Sequence, residues 1–358
     1  MITSTIDVKT GQPYKVYVGH KLLDEVGAML SQLHRPCQAM VFSDSTVAPL
    51  YLERLTKSLS EAGFRVMTSV VPAGENSKSF AVLEKLMNDW SLAGLHRSDL
   101  VVALGGGVVG DLSGFAASCY QRGIPFVQVP TTLLAAVDSS VGGKTAIDIA
   151  AGKNLVGAFY QPLAVYCDVD CIATMNDHDF ADGVAESIKY GVLHNPSLFD
   201  RIASERLTQT SSDLDAIVSD CVAYKNQIVS EDEYEKGTRQ LLNLGHTFAH
   251  AIEQLSDFAV SHGHAVAIGL AMMARACLRK GWSQPGTAVR VERALLANNL
   301  PITCDYEASA MLDVCRRDKK AGSSAITIVV PQSIGDCGLR TVDYDTLLEL
   351  LQLGKEPL

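Results

Sequence analysis

The chain has 358 residues, 30 basic and 40 acidic, for a formal charge of −10. That balance excludes a generally basic surface for nucleic acid or an anionic membrane. A composition 47% hydrophobic and 20% charged excludes wholesale disorder, and a chain of this length needs no disulfide or metal merely to fold.

The opening residues, MITSTIDVKTGQPYK, lack the apolar stretch of a secretory signal. No apolar run reaches ~18 residues unbroken, so no transmembrane helix is expected. The 9 cysteines are odd in number and form no CxxC pair. They read as reduced, buried thiols of a cytoplasmic protein.

Residues 1 to about 175 alternate between short apolar runs and helical patterns. The runs Lys15–Val18, Ala39–Phe42, Arg65–Val70, Leu100–Leu104 and Phe126–Val129 read as strands, with helix-like stretches such as Lys21–Leu33 and Ser79–Ala93 between them. This rhythm predicts a mostly parallel sheet with helices on both faces. Later, 3.6-residue periodicity dominates in Asp213–Val229, His246–Leu255, Ala265–Lys280 and Thr287–Asn298, with one late β-like run at Ala325–Val330. The expected organisation is an α/β nucleotide-binding domain, Rossmann-like, over 1–178 and an all-α metal- and substrate-binding domain over 179–358.

Leu100–Leu104 runs directly into Gly105-Gly106-Gly107-Val108-Val109-Gly110-Asp111. Glycines after a buried strand allow a tight turn and close approach of backbone amides to a pyrophosphate. The pattern falls well into the chain rather than in its first βα turn, so it predicts nucleotide binding without a standard Rossmann arrangement. Phe126–Val129 ends in Pro130-Thr131-Thr132: the hydroxyls suit ribose or phosphate, or Thr131 caps the next helix, or both. Gly142-Gly143-Lys144-Thr145 resembles the end of a P-loop, but Asp138 stands where its first glycine belongs, which rejects an NTPase. What remains is read as a flexible, glycine-flanked loop whose Lys144, Lys153 and Asn154 suit an anion. Glu75, in the loop after Arg65–Val70, is placed to meet ribose hydroxyls or is simply on the surface.

In the second half, Glu186, Lys189 and Tyr190 share one helical face. Of the 9 histidines, His246, His250, His262 and His264 fall close together, with glycines beside His246 and His262. One Glu with two His leaves an open position on zinc, as catalytic sites require. Spacing alone does not choose among the four histidines. Lys189, Lys225, Arg239 and the run Arg316-Arg317-Asp318-Lys319-Lys320 are either solvated faces or the lining of a pocket for a multiply charged substrate.

Taken together, these segments resemble the 3-dehydroquinate synthases, in the sugar phosphate cyclase superfamily. The resemblance runs from the Pro72–Lys78 loop through Asp318-Lys319-Lys320. It is carried most specifically by Gly105–Asp111, Arg122-Gly123-Ile124-Pro125, Asp138–Thr145, Gly152-Lys153-Asn154, Asp182–Gly191, Leu242–His250 and His262–Gly269. It implies Glu186, His246 and His262 as ligands of one divalent ion, zinc or cobalt, with His250 as a proton shuttle. NAD would meet Asp44, Glu75, Lys78, Gly107, Val108, Val109, Gly110, Asp111, Thr131, Thr132, Lys144, Lys153 and Thr174. Substrate anions would meet Arg122, Lys144, Asn154, Lys189, Lys225, Arg239, Lys319 and Lys320. Lys144, Lys189, His250, Asp138 and Asn243 would serve the chemistry. The family also implies a homodimer, with Arg122 reaching the phosphate of the neighbouring subunit's site. Ala136, Ala249, Asp148, Thr46 and His264 depart from many relatives. His264 places a spare imidazole beside His262, as a conceivable alternative ligand.

The reaction implied converts the seven-carbon sugar acid phosphate DAHP to 3-dehydroquinate and phosphate. Transient oxidation at C5 acidifies C6–H, phosphate leaves by β-elimination, the hydride returns, and the ring opens and recloses as an aldol carbocycle. Metal Lewis acidity and clustered cations suit those demands. A polyol dehydrogenase would share NAD, zinc and histidines but would not need Lys144, Asn154, Lys225 and Arg239. Another sugar phosphate cyclase, or a silent paralogue, is set against the joint presence of Arg122, Lys225, Arg239, Asn243 and His250 and the intact ligand set.

Overall fold

The computed structural model describes residues 1–318 and 325–358. In chain order the elements are β1 (Ile2–Val8), β2 (Tyr14–Gly19), α1 (Val26–Leu33), β3 (Gln38–Asp44), α2 (Ala48–Glu61), β4 (Arg65–Val71), α3 (Phe80–Leu92), β5 (Leu100–Gly105), α4 (Gly107–Cys119) and β6 (Phe126–Pro130). There follow β7 (Lys144–Ile149), β8 (Gly152–Phe159), β9 (Ala164–Asp168), α5 (Asp177–Leu193), α6 (Pro196–Ser204), α7 (Leu214–Glu231), α8 (His246–Leu255) and α9 (His262–Arg279). The chain closes with α10 (Thr287–Ala297), α11 (Ala308–Asp318), β10 (Ala325–Ser333), β11 (Asp336–Asp343) and α12 (Tyr344–Lys355).

Two compact units result. One comprises Met1–Met175 with Ser212–Tyr234, the other Asn176–Ser211 with Glu235–Leu358. Sequence periodicity assigned all of 179–358 to one helical domain, whereas α7 belongs with the first unit. An amphipathic helix buries its apolar stripe wherever a matching surface lies, and periodicity alone does not name that surface. Leu214, Ile217, Val218, Cys221 and Val222 of α7 are buried, and α7 packs on β1 and on the turn at Ala135–Ser139.

The first unit is built on a 7-stranded sheet in the order β1-β2-β9-β6-β5-β3-β4. Only β1 runs antiparallel to its neighbour. Side chains alternate across each strand. Leu100, Val102 and Leu104 of β5 join Ala39 and Val41 in a core with Leu30, Leu55 and Leu59 of α1 and α2. Val101 and Ala103 join Met40 and Phe42 in a second core with Leu86, Trp90 and Leu112 of α3 and α4. Strands covered on both faces read as near-continuous apolar runs, which is why LVVAL was legible. The strand order reverses between β3 and β5, and ligands of such sheets bind beyond the carboxyl ends of strands at that point.

The stretch read as a flexible loop is instead an antiparallel hairpin of β7 and β8. Gly142 and Gly143 take φ of +98° and +68°, turning the chain into a strand whose Thr145, Ala146 and Ile147 are buried. The second unit is helical, as expected, but it also carries the β10–β11 hairpin, so it is not all-α. The late run at Ala325–Val330 was its only sequence signal.

Candidate active site

In the second unit, α5, α8 and α9 bring together three side chains of metal-ligating type that could hold an ion. Two glycines set the helices at backbone contact. A Cβ on Gly263 would lie 2.2 Å from Asp182 Cα, and one on Gly269 would lie 2.3 Å from the Gly245 carbonyl oxygen. Helices this close place Glu186, His246 and His262 around one point. Glu186 is completely buried. Its Oε1 lies 3.4 Å from Nε2 of His246 and 3.4 Å from Nε2 of His262. Ligand bonds of ~2.0–2.1 Å in a tetrahedron space donors about 3.3 Å apart, which the two Glu186–histidine spacings match, and all three donor atoms lie within 4.8 Å of one another.

The surroundings fit as well. Lys189 Nζ sits 2.6 Å from Glu186 Oε2, leaving Oε1 toward the imidazoles, and lies over the Tyr190 ring at 4.9 Å. His246 Nδ1 is 3.1 Å from the Leu244 carbonyl oxygen, and His262 Nδ1 is 3.5 Å from Glu253 Oε1. Partners of this kind on the outer ring nitrogen direct Nε2 to the metal. Burial, with the Lys189 ammonium beside it, lowers His246 to about 3, so its imidazole is neutral, the form that ligates. Burial also lowers His262, but hydrogen bonds with Glu186 and Glu253 outweigh it and carry the ring to about 10. The proton on His262 thus supplies beside Glu186 the positive charge that a divalent ion on the same atoms would supply.

His250 meets His246 edge-on, with ring centroids 5.6 Å apart. His264 is excluded from this set: its Nδ1 is 2.7 Å from Asp182 Oδ1. Arg239 is fully buried in the turn Thr238–Asn243, and Asn243 donates to Glu235 Oε1 at 3.0 Å. Lys319 and Lys320 lie outside the described residues. Glu253 carried no sequence assignment, although it falls on the His246–His250 face of α8, seven residues after His246.

In the first unit, the glycine turn forms as its spacing predicts. β5 ends at Gly105, Gly106 caps α4, and Gly107, Val108, Val109 and Gly110 form the opening turn of that helix. The Thr131 amide donates to the Gly105 carbonyl at 3.0 Å. A Cβ on Gly106 would touch the Thr132 side chain at 3.0 Å. Thr132 Oγ1 accepts from the Ala135 amide at 3.2 Å, so the cap is made by Thr132 and not by Thr131, which is buried.

Beside this turn, Lys78 is buried and donates to Asp111 Oδ2 at 2.9 Å and to Asn154 Oδ1, with Glu75 Oε1 at 3.5 Å. The Asn154 amide donates to Asp148 Oδ1 at 2.8 Å, and Asn154 takes a left-handed φ of +55°. Burial alone would lower Lys78, but Asp111 and Glu75 raise it. Burial raises Asp111 against the pull of Lys78 and Lys225. Burial likewise raises Glu75 against Lys78 and Lys153. Lys225, buried on α7, donates to the Asp138 carbonyl at 2.6 Å and to Asp138 Oδ1 at 3.0 Å. Lys144 and Lys153 stand on the β7–β8 hairpin.

Three expected contacts have local roles of their own. Asp44 Oδ1 accepts from the amides of Thr46 and Val47 at 2.8 and 2.9 Å. Thr174 Oγ1 is 2.6 Å from the Tyr51 hydroxyl. Arg122 ends a tight turn at φ +64°. The 9 cysteines are all free, but they are not all buried as expected: Cys119 is exposed and Cys37, Cys304 and Cys337 are partly buried. No described helix is long and apolar enough to cross a membrane.

Comparison with known proteins divides the chain near residue 182, with α7 inside the C-terminal match although it packs in the first unit. The family profile "3-dehydroquinate synthase N-terminal" matches residues 68–182, and "3-dehydroquinate synthase C-terminal" matches 183–321. The 3-dehydroquinate synthase of Caulobacter vibrioides is 45% identical over 345 residues, covering 93% of each chain. That of Caldanaerobacter subterraneus subsp. tengcongensis is 41% identical over 346 residues, 95% of this chain and 97% of the relative. Among solved structures, a 2-deoxy-scyllo-inosose synthase complexed with carbaglucose-6-phosphate, NAD+ and Co2+ superposes with a TM-score of 0.87 at 23% identity over 98% of this chain and 99% of that one. A 2-epi-5-epi-valiolone synthase from Streptomyces hygroscopicus subsp. jinggangensis, with NAD+ and Zn2+ bound, gives 0.85 at 25% identity over 95% and 96%.

Proposed function

The chain belongs to the 3-dehydroquinate synthase family, and from that premise we infer that it converts DAHP to 3-dehydroquinate and inorganic phosphate. It is a carbon–oxygen lyase of the shikimate pathway, which leads to chorismate and the aromatic amino acids. It uses NAD+ and a divalent metal ion, zinc or cobalt. When bound, these two supply reversible two-electron redox chemistry at C5 and Lewis acidity toward the neighbouring hydroxyls. Phosphate loss falls between transient oxidation and re-reduction, so net redox is zero.

The observation that carries this reading is the placement of Glu186 Oε1 equidistant from the Nε2 atoms of His246 and His262. Those three atoms hold the ion, and Lys189 orients the carboxylate. His250, against the His246 ring, moves a proton at its own ring nitrogen to and from a substrate hydroxyl. In the first unit, the amides of Gly107–Asp111 receive the pyrophosphate. Glu75, Thr131, Thr132 and Lys153 complete the cofactor contacts, and Lys78 with Asp111 fixes the turn. Lys144, Asn154 and Lys225 meet substrate anion there, with Asp138 holding Lys225. Lys189, Arg239 and Asn243 do so in the second unit. Preorganised cations stabilise the charge that develops on departing phosphate.

The family's homodimer, with Arg122 reaching the neighbouring subunit's site, is part of the same proposal. So is residence in the cytoplasm, where nine free thiols persist.

The test is an incubation of purified protein with DAHP, zinc and a small amount of NAD+. Phosphate released in large molar excess over NAD+, with no lasting NADH, supports the lyase. Absence of phosphate release, with NADH accumulating on a simple polyol, overturns it in favour of a dehydrogenase.

A further inference from the structure

The second unit holds another set of metal-binding side chains, outside the Glu186 set. His178 and Asp182 lie one turn apart on α5, and His264 lies in the first turn of α9. One donor atom from each lies within 4.8 Å of the others. The rings of His178 and His264 are stacked with centroids 4.3 Å apart and planes 13° from parallel.

Asp182 is buried, and its Oδ1 accepts from Ser261 Oγ at 2.7 Å and from the His264 amide at 2.9 Å. That is a helix cap, and capping explains the carboxylate. It does not explain two imidazoles gathered beside it. Among the described residues no hydrogen bond falls on Asp182 Oδ2. The His264 ring is locked by its contact with Asp182 Oδ1, at 2.7 Å. The His178 side chain is 58% exposed, so ions from solvent reach the set.

We propose that His178, Asp182 and His264 form a second site for a borderline divalent transition-metal ion, of the class of zinc, cobalt or nickel. Two imidazoles and a carboxylate are the donor types such ions select, and they repeat those of the Glu186 set. Both sets draw on α5 and α9, and the Glu186 set adds His246 from α8. Asp182 precedes Glu186 by one turn of α5, about 6 Å along the axis, and His264 follows His262 by two residues on α9. The outer site binds more weakly, because Asp182 is already engaged in capping and the exposed His178 ring also has Asp179 Oδ1 3.4 Å from its Nδ1. The proposal is independent of the lyase reading, since it concerns metal stoichiometry rather than turnover.

The experiment is a Co2+ titration of metal-stripped, full-length protein. It is followed by visible absorption and by metal content after equilibrium dialysis, with circular dichroism reporting the fold. Two equivalents per chain are expected, one tight and one weak. His178→Ala and His264→Gln each lose the weak equivalent and keep the tight one. His246→Ala loses the tight one and keeps the weak one. A single equivalent in the parent protein, or two equivalents unchanged in folded His178→Ala and His264→Gln, overturns the proposal.

Discussion

Lys225 donates to both the backbone carbonyl and the carboxylate of Asp138, residues 87 apart in sequence and within one compact unit. Lys225 is buried on α7, so its ammonium is held at one place rather than swinging in solvent. Lys225→Met removes a cation from the proposed anion site and leaves Asp138 without that partner. The expected loss in kcat/KM for phosphate release is on the order of 10²-fold, typical for a preorganised charge. A double-mutant cycle with Asp138→Asn checks the linkage: the two losses combine to less than their product. Full additivity would place the two residues in separate roles.

Glu253 offers a test that separates metal holding from chemistry. It lies 3.5 Å from His262 Nδ1 and is not one of the three ligating side chains proposed. Glu253→Gln keeps the shape and removes the charge. Outer partners of ligating histidines are worth roughly 10–100-fold in metal affinity. The variant is expected to bind zinc that much more weakly, by competition with a chromophoric chelator, and to recover turnover at saturating zinc. Failure of excess zinc to restore activity would give Glu253 a direct part in the chemistry.

The strands β3, β5 and β6 were legible in the sequence because both faces of each are covered, so apolar residues run on without a break. The Glu186–Lys189–Tyr190 face was legible from helical spacing alone. The choice of histidines was not. His262 and His264 differ by two residues, and only their rotation on α9 sends one toward Glu186 and the other toward Asp182. The β7–β8 hairpin was missed because its lysines and glycines are also the signature of an anion loop. The place of α7 was missed because a 3.6-residue period says that a face is buried, not against what.

Close packing at Gly263 makes a second link between backbone and site. Its Cβ would lie 2.2 Å from Asp182 Cα and 2.4 Å from the Asp182 carbonyl oxygen. Backbone atoms cannot swing aside as a side chain can. Gly263→Ala therefore pushes α5 from α9, at a cost of about 1–3 kcal/mol or more. Because Glu186 and His262 ride on those helices, zinc affinity falls with stability. Urea unfolding and metal titration of one variant read both. A fall in stability with zinc binding intact would show the helices moving apart without disturbing the site.

The buried thiols set an alkaline limit. Burial pushes Cys37 up to about 11, and Cys167 and Cys277 up to about 12. A thiol whose folded pKa exceeds its unfolded value of 9.0 favours the folded state below that value. The contribution is lost as pH rises toward the folded pKa. The urea midpoint is expected to hold to about pH 9 and to fall between about pH 9 and 12. Iodoacetamide at mildly alkaline pH is expected to label exposed Cys119 and spare Cys167 and Cys277 until the chain is unfolded. Early labelling of Cys167 would show local opening of β9.

Arg122 ends its turn in the left-handed region at φ +64°, followed by Gly123 at φ +118°. A non-glycine residue there is strained, and such strain persists where the surroundings over-determine it. The proposal that Arg122 serves the neighbouring subunit of a homodimer has a direct consequence. Arg122→Ala and His246→Ala subunits are each inactive alone. In a mixed dimer, the Arg122→Ala subunit keeps its metal set and borrows Arg122 from its partner, so one site is whole. Random exchange makes half the dimers mixed, so about a quarter of parental turnover returns on mixing equal amounts. If Arg122 serves its own subunit, no site in the mixture is whole and no activity returns. The readout is phosphate release before and after subunit exchange, with sedimentation confirming that dimers form.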